Sequence, residues 1–558
     1  MGLDRDEQQI YSAAYDWWSR WGSRQAARVS AAWAEALRVD PLLRSARVVV
    51  DLSLGGGQVR VLVGPAFAVA AAGRAGGPRR VHGELLSEPV FSESIEPGQG
   101  GLERRSVSVS VSGRLIAPAA VLATGRPLAG HGEVSLLADG MGWDDRLVWL
   151  RGPVSKGVTF GRDDEIVDLT ISDPSLAGRV VPPWVLDVER WPNLPETSVG
   201  ERVPIVIGDV ILPCLRVNST DEGGDDRFLV AHGHGGLQLT TAWVRAGDET
   251  RAVVDASGAL IETEDAEHLP VTLVEFAGGP ASVVAEIDVE VFVAVMSSDD
   301  DLLGLTLLEA VRRLLRDYDP GRESPRLFSE AAARVAQAGA AGGSYPGLAI
   351  NDSAGLYDYV GNDVFSDHPY LSLAWDGAQV GPIAVDHRAP PVASLRPGVY
   401  PVLGRVDGGR YEESPTDDLR TSFVIRYDYT PVSDVWRGAQ TRNPGNNALC
   451  AAAAALLEGE QVAEDIEALS IRDDASAAYV LDWLCEHFAR VSYTVEVECY
   501  PVAWFLLRLG DTVRWTDPDV GWEDVQAIVV GRTRDRVGVV ITLRIYPSSR
   551  TGGGSRSF

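Results

Sequence analysis

The chain has 558 residues, 45% of them hydrophobic and 23% charged, with a formal net charge of −29. Its length predicts roughly three to four domains of about 100–200 residues, each with a real core. The charge argues against a protein that grips nucleic acid, which needs excess Lys and Arg, and no apolar run approaches the roughly eighteen residues of a membrane span.

The opening MGLDRDEQQI is polar and acidic, unlike a secretory signal, so a cytosolic product is expected. Residues 1–42 read as a helical arm: Tyr11, Tyr15 and Trp18 recur at helical spacing, and the stretch from Gln25 to Leu37 is rich in Ala. Such an aromatic stripe packs on the chain's own body or docks on a neighbouring subunit. From Ala46 the period changes to two. RVVVDLSL, GQVRVLVG and RRSVSVSVSGRLI are separated by Gly-rich breaks and predict an antiparallel sheet or small barrel over 43–175. A loop with Pro182, Pro183, Pro192, Pro195 and Pro204 excludes a long helix. Beyond it a second β-rich unit runs over 176–300; FLVAHGHGGLQLTTAWVRAG and the run from Arg251 to Ile261 read as hairpins, and SVVAEIDVEVFVAVMSS as a strand.

Residues 301–420 read as mixed. Helices are expected at 305–318, 329–338 and 354–364, and strands at 370–375 and 379–386. A last unit, 421–558, opens on SFVIRYDYTPV and contains helices at ALCAAAAALLEG and 475–490. It closes on strands SYTVEVECY, DTVRWTD, DVQAIVVGRTRD and RVGVVITLRIY, then a tail, TGGGSRSF. The fold class is therefore α+β, mostly β and multi-domain, with an N-terminal helix.

Candidate chemistry is sparse. His232-Gly233-His234 places two imidazoles at i and i+2, which on a strand share a face and could hold a metal; the other reading is a Gly-rich turn with exposed histidines. The acidic runs 221–226 (DEGGDD) and 299–301 (DDD) lack the D-x-D-x-D-G spacing of a calcium loop and read as solvated turns. Cys485 and His487 are two apart in a helix and do not share a face. The four cysteines (Cys214, Cys450, Cys485, Cys499) are far apart and read as buried thiols rather than a disulfide framework. There is no G-x-S-x-G, and GRAGGP and LGGGQV lack the Lys and Ser/Thr of a phosphate loop. No catalytic residue, cofactor-binding residue or metal ligand is assigned, and the chain is expected not to be an enzyme.

Several segments, in order from about residue 46 to 546, resemble tail hub proteins of long-tailed phages, relatives of the baseplate hubs of contractile tails. They are VVVDLSLGGGQVRVLV with GELLSEPVFSESIEPGQGGLERRSVSVSVS, then WDDRLVWLRGPVSKGVTFGRDDEIVDLTISDPS, then WPNLPETSVGERVPIVIGDV. AINDSAGLYDYVGNDVF with GAQVGPIAVD follows, and SFVIRYDY with LRLGDTVRWTDPDVGWEDVQAIVVGRTRDRVGVVITLRI completes the series. The resemblance implies a homotrimer with two tube-type β-barrel or sandwich domains per subunit, giving six around the axis to match a hexameric tail tube. It also implies a place in the virion at the tail tip after synthesis in the host cytoplasm. The implied partners are tail tube and distal tail proteins, a tape measure protein and tail fibres or receptor-binding proteins, with viral DNA passing through the lumen without specific binding. Two other readings stand beside it: a different tail-tip or baseplate component, and a carbohydrate-binding or carbohydrate-degrading virion protein, whose sugar stacking the 15 Trp would suit.

Overall fold

The computed structural model describes residues 5–26, 30–40, 46–54, 59–64, 68–69, 79–80, 85–86, 89–112, 130–138, 140–160, 166–176, 178–208, 210–217, 226–233, 237–246, 249–252, 259–264, 270–276, 289–297, 306–339, 347–406, 409–535 and 538–547. The chain is a β-rich, multi-domain protein with a few short helices, as its alternating patterns predict.

The N-terminal arm is two helices, Arg5–Ala26 and Ala31–Val39. Ser30 begins the second, its hydroxyl accepting the Trp33 N–H at 3.4 Å. They pack on the chain's own body through Ala14, Trp17, Trp33 and Leu37, whereas Tyr15 of the expected stripe is 48% exposed and the Trp18 side chain lies outside the described residues. Trp17 meets Tyr400 edge-on with centroids 5.9 Å apart, and Trp33 stacks on Phe505 at 4.4 Å.

The first sheet is antiparallel, in the order Val59–Val63, Arg47–Leu54, His131–Leu137, Leu147–Phe160, Ile166–Ser172, Ser106–Ser112. The SVSVSVS repeat shows why it forms: Val107, Val109 and Val111 all point into the core while the serines alternate outward. The closing sheet runs Ala393–Leu395, Thr512–Asp517, Trp522–Arg534, Val539–Tyr546, Tyr493–Cys499, Val402–Arg405. A strand from the early part of the chain, Phe91–Ser94, adds to it along Trp522–Arg534. These two sheets and the N-terminal helices bury one continuous core, from Ala14 and Trp33 through Val109 and Ile171 to Trp504, Trp515 and Ile545.

The middle sheet has seven strands, in the order Glu249–Ala252, Leu237–Ala246, Val289–Ser297, Val210–Arg216, Asp226–His232, Pro270–Phe276, Ala259–Glu264. The two expected hairpins are not made. Asp226–His232 pairs with Val210–Arg216 and Pro270–Phe276, whereas Leu237–Ala246 pairs with Val289–Ser297 and Glu249–Ala252. Glu249–Ala252 and Ala259–Glu264 sit at opposite ends of the strand order. Local turn residues favoured hairpins, but burial decided the pairing. Phe228 and Val230 join Val274 and Val293 on one face, and Leu229 joins Val271 and Leu273 on the other. The Pro- and Trp-rich loop covers that second face with Leu186, Leu194 and Val203.

A further core is built by the helices Leu307–Tyr318, Pro325–Gln337 and Asp474–Phe488. They pack with the pair Leu371–Asp376/Gln379–Ala384 and with a three-stranded sheet. In that sheet Ser422–Thr430 pairs antiparallel with Val435–Arg442 and parallel with Ala463–Glu467. The helix expected at 354–364 is a short turn, Leu356–Asp358, that widens to a π-helical turn, Tyr359–Val364. The chain at Gly100 crosses it so closely that a Cβ there would lie 2.0 Å from the Gly361 carbonyl oxygen.

Leu307–Tyr318 starts on a capping box. The Thr306 hydroxyl accepts the Glu309 N–H at 3.3 Å, and the Glu309 carboxylate accepts the Thr306 N–H at 2.8 Å. Thr306→Ala is expected to cost about 1 kcal/mol, read as a lower urea midpoint at unchanged slope.

Candidate functional site

One residue set that ties distant parts of the chain together is the joint around Phe91–Ser94. Its sequence, FSES, alternates so that Phe91 and Glu93 share a face. Phe91 is fully buried, 4.4 Å from the Trp149 ring and 6.0 Å from the Trp504 ring. Glu93 sits opposite Arg532 in the sheet register and accepts hydrogen bonds from Arg532 Nε at 2.8 Å and Nη2 at 2.6 Å. It also accepts from Arg105 Nη1 at 3.0 Å and Trp149 Nε1 at 2.7 Å. Arg105 in turn forks onto Asp173, with Nε at 2.9 Å and Nη2 at 3.0 Å, and donates to the Gly377 carbonyl at 2.8 Å. The Arg532 guanidinium lies 4.3 Å from the Trp504 ring centre and donates to the carbonyls of Trp504 and Leu507.

Electrostatics in the joint follow from burial. Desolvation would raise the Glu93 carboxyl, but the charges of Arg532 and Arg105 outweigh it and hold the group below the ordinary carboxylate value. Asp173 goes the other way: burial raises it, and the fork from Arg105 offsets this only in part. The pair is thus an ionic clamp closed inside low-dielectric protein.

Beside the clamp lies a cleft of about 300 Å³ whose lining includes Trp33, Trp149, Trp375 and Trp504. Its arginines are engaged: Arg326 with Asp376, Arg508 with Glu330, and Arg334 with Asp511. The arrangement holds distant chain segments together.

The residues singled out in the sequence are scattered. His232 ends its strand, stacked on Trp184 at 3.6 Å between centroids, with Nδ1 3.1 Å from the Tyr318 hydroxyl. Burial lowers its pKa to about 4. Gly233 then turns with φ +88°, and His234 lies outside the described residues. So do 221–225 and 299–301; of Asp226 only the backbone is described. Among the described residues no three His, Cys, Asp or Glu side chains gather as a metal site, and no helix is long and apolar enough to cross a membrane.

Cys485 and His487 do point apart, and each has a distant partner that the sequence did not reveal. His487 stacks on Trp483 at 3.9 Å, with Nδ1 2.7 Å from the Tyr546 hydroxyl and Nε2 3.2 Å from His387 Nδ1. The other nitrogen of His387 lies against the Glu486 carboxylate. This buried row links the helix Asp474–Phe488 to the last strand, Val539–Tyr546. A local spacing rule could not find it, because His387 lies 100 residues from His487.

No family model matches the chain, and no curated protein matches it. Among solved structures it is similar to the tail protein from Neisseria meningitidis MC58, at 10% identity and TM-score 0.38, covering 90% of this chain and 96% of that one. It is also similar to the 43 kDa tail protein of prophage MuSo2 from Shewanella oneidensis, at 9% identity and TM-score 0.36, covering 89% and 98%. A chain of the virion of a native gene transfer agent particle gives 14% identity and TM-score 0.40, covering 67% and 91%.

Proposed function

We propose that this chain is a structural protein of a phage tail, the hub at the distal end of the tail tube. The observation that carries the reading is the ordered series of hub-like segments from about residue 46 to 546. The joint is consistent with it. A subunit that presents two β units to a sixfold tube must hold them in fixed relation, and here the early and closing sheets share one core and one ionic clamp. In this reading three copies form a ring, the 43–175 and 421–558 units face the tube, and the tape measure and fibre proteins dock on the ring. The excess of acid, −29 per chain, keeps DNA from adhering as it passes.

Trp483 and Trp515 are core residues at 0% exposed and cannot stack on a glycan. A different tail-tip or baseplate component, or a carbohydrate-binding virion protein, is the alternative. The test is light scattering and negative-stain imaging of the purified chain, alone and with tail tube protein. The expected result is a three-lobed particle of about three times 59.9 kDa that binds the tube protein. A monomer that also fails to bind the tube protein overturns the hub.

A further inference from the structure

Of the four free cysteines, two face each other. Cys450 Sγ lies 3.7 Å from Cys485 Sγ, and both residues are buried, at 0% and 1% exposed. They stand on separate helices, Ala448–Leu456 and Asp474–Phe488, joined by a segment that includes the strand Ala463–Glu467. A disulfide needs sulfurs about 2.05 Å apart, so closure asks for an approach of about 1.7 Å, within reach of small side-chain rotations. Cys499 Sγ donates instead to the Val497 carbonyl.

We propose that Cys450 and Cys485 form an intramolecular disulfide that staples the helix Ala448–Leu456 to the helix Asp474–Phe488 when the protein meets an oxidising small disulfide. The short helix is the element that needs a staple. Of its nine residues only Cys450 and Ala453 are buried, while Leu456 is 59% exposed. An element so lightly anchored opens locally at low cost, which gives a small oxidant access to the sulfurs. The hydrogen bond between the thiols lowers the Cys450 pKa and raises that of Cys485, which marks Cys450 as the attacking sulfur. Cys450 thiolate attacks one sulfur of oxidised glutathione, forms a mixed disulfide and releases one glutathione thiolate. Cys485 loses its proton to water, and its thiolate then attacks the Cys450 sulfur and releases the second. The two cysteines lose two electrons, and the small disulfide gains them.

The chemistry stands on the facing sulfurs and the light anchoring of the short helix; only its setting, a virion leaving a reducing cytoplasm, rests on the tail reading. The test uses the full chain, incubated overnight with oxidised glutathione, then denatured, alkylated and mapped by mass spectrometry without reductant. The expected result is a Cys450–Cys485 cross-linked peptide, free thiols falling from four to two, and a melting transition raised by several degrees that dithiothreitol reverses. Cys450→Ala and, separately, Cys485→Ala should each abolish the cross-link while Cys214 and Cys499 stay alkylated. Four alkylated thiols after oxidation, or a cross-link through Cys214 or Cys499, overturns the proposal. Neither result depends on whether the chain forms a trimer.

Discussion

Glu93→Ala is expected to lower the unfolding free energy by about 3–5 kcal/mol, a large share of the stability of an ordinary domain. The reason is asymmetry. The carboxylate is only 9% exposed and serves two guanidinium groups, Arg105 at 8% and Arg532 at 15% exposed. Removing it leaves Arg532 with two carbonyl partners and no counter-charge in a buried site, while Arg105 keeps Asp173. Glu93→Leu alone and Arg532→Met alone should also destabilise, and the two combined should recover part of the loss, because an apolar pair needs no desolvated charge. Urea unfolding of the wild type, these two single variants and the double gives the cycle; a coupling of about 1–3 kcal/mol is expected. A Glu93→Ala loss below about 0.5 kcal/mol would reduce the clamp to the value of a surface ion pair.

The second large effect is acid sensitivity near pH 6. His368 is buried, with Nδ1 3.1 Å from the Tyr370 hydroxyl and Nε2 3.0 Å from the Ser470 hydroxyl, and burial lowers its pKa to about 3. His487 is buried and lowered well below its ordinary value, first by desolvation and then by neighbouring His387 and arginines. Both titrate near 6.5 in the unfolded chain. Their contribution is therefore complete above pH 6.5 and is lost as pH falls below it, at about 1.4 kcal/mol per pH unit for each. Asp367 acts in the opposite sense. Burial raises it to about 6, so it binds a proton in the folded state first and returns about 1 kcal/mol by pH 5. With His232, which burial also lowers, to about 4, the balance is a loss of roughly 2–4 kcal/mol between pH 6.5 and 5. Carboxylates held low, such as Glu93 and Asp376, add to the loss only below about pH 4.5. Urea midpoints at half-unit steps of pH measure this, and His368→Gln should flatten the slope. A midpoint that holds constant from pH 7 to 5 would contradict it.

The elements themselves were legible in the sequence, because period and composition are local properties. SVSVSVS and VVITLRIY read as strands and are strands; LTLLEAVRRLLRDY reads as an amphipathic helix and is one, with Leu308, Val311, Leu314 and Leu315 buried. The mostly-β class follows from such runs. The aromatic pattern of the first forty residues gave the helical arm, and the break at Ser30 adds only a cap.

Strand partners were decided by the tertiary structure. FSES is four residues of ordinary polarity, and nothing in them states that their neighbour lies more than 430 residues away; the register is fixed by Phe91 filling the gap between Trp149 and Trp504 and by Glu93 meeting Arg532. Turn residues between Asp226–His232 and Leu237–Ala246 suggested a hairpin, but burying Phe228 and Leu229 on opposite faces outweighed the short loop. The segment after Ser422 was equally divided: Phe423, Ile425 and Trp483 fill the helical core with Leu314, while Val495 to Ile545 fill the core of the early sheet. Sequence by itself determined which residues are apolar and at what period, and hence the inventory of helices and strands. Which of them share a core, and which cysteines and histidines meet inside it, depends on long-range burial, and that is settled only when the whole chain packs.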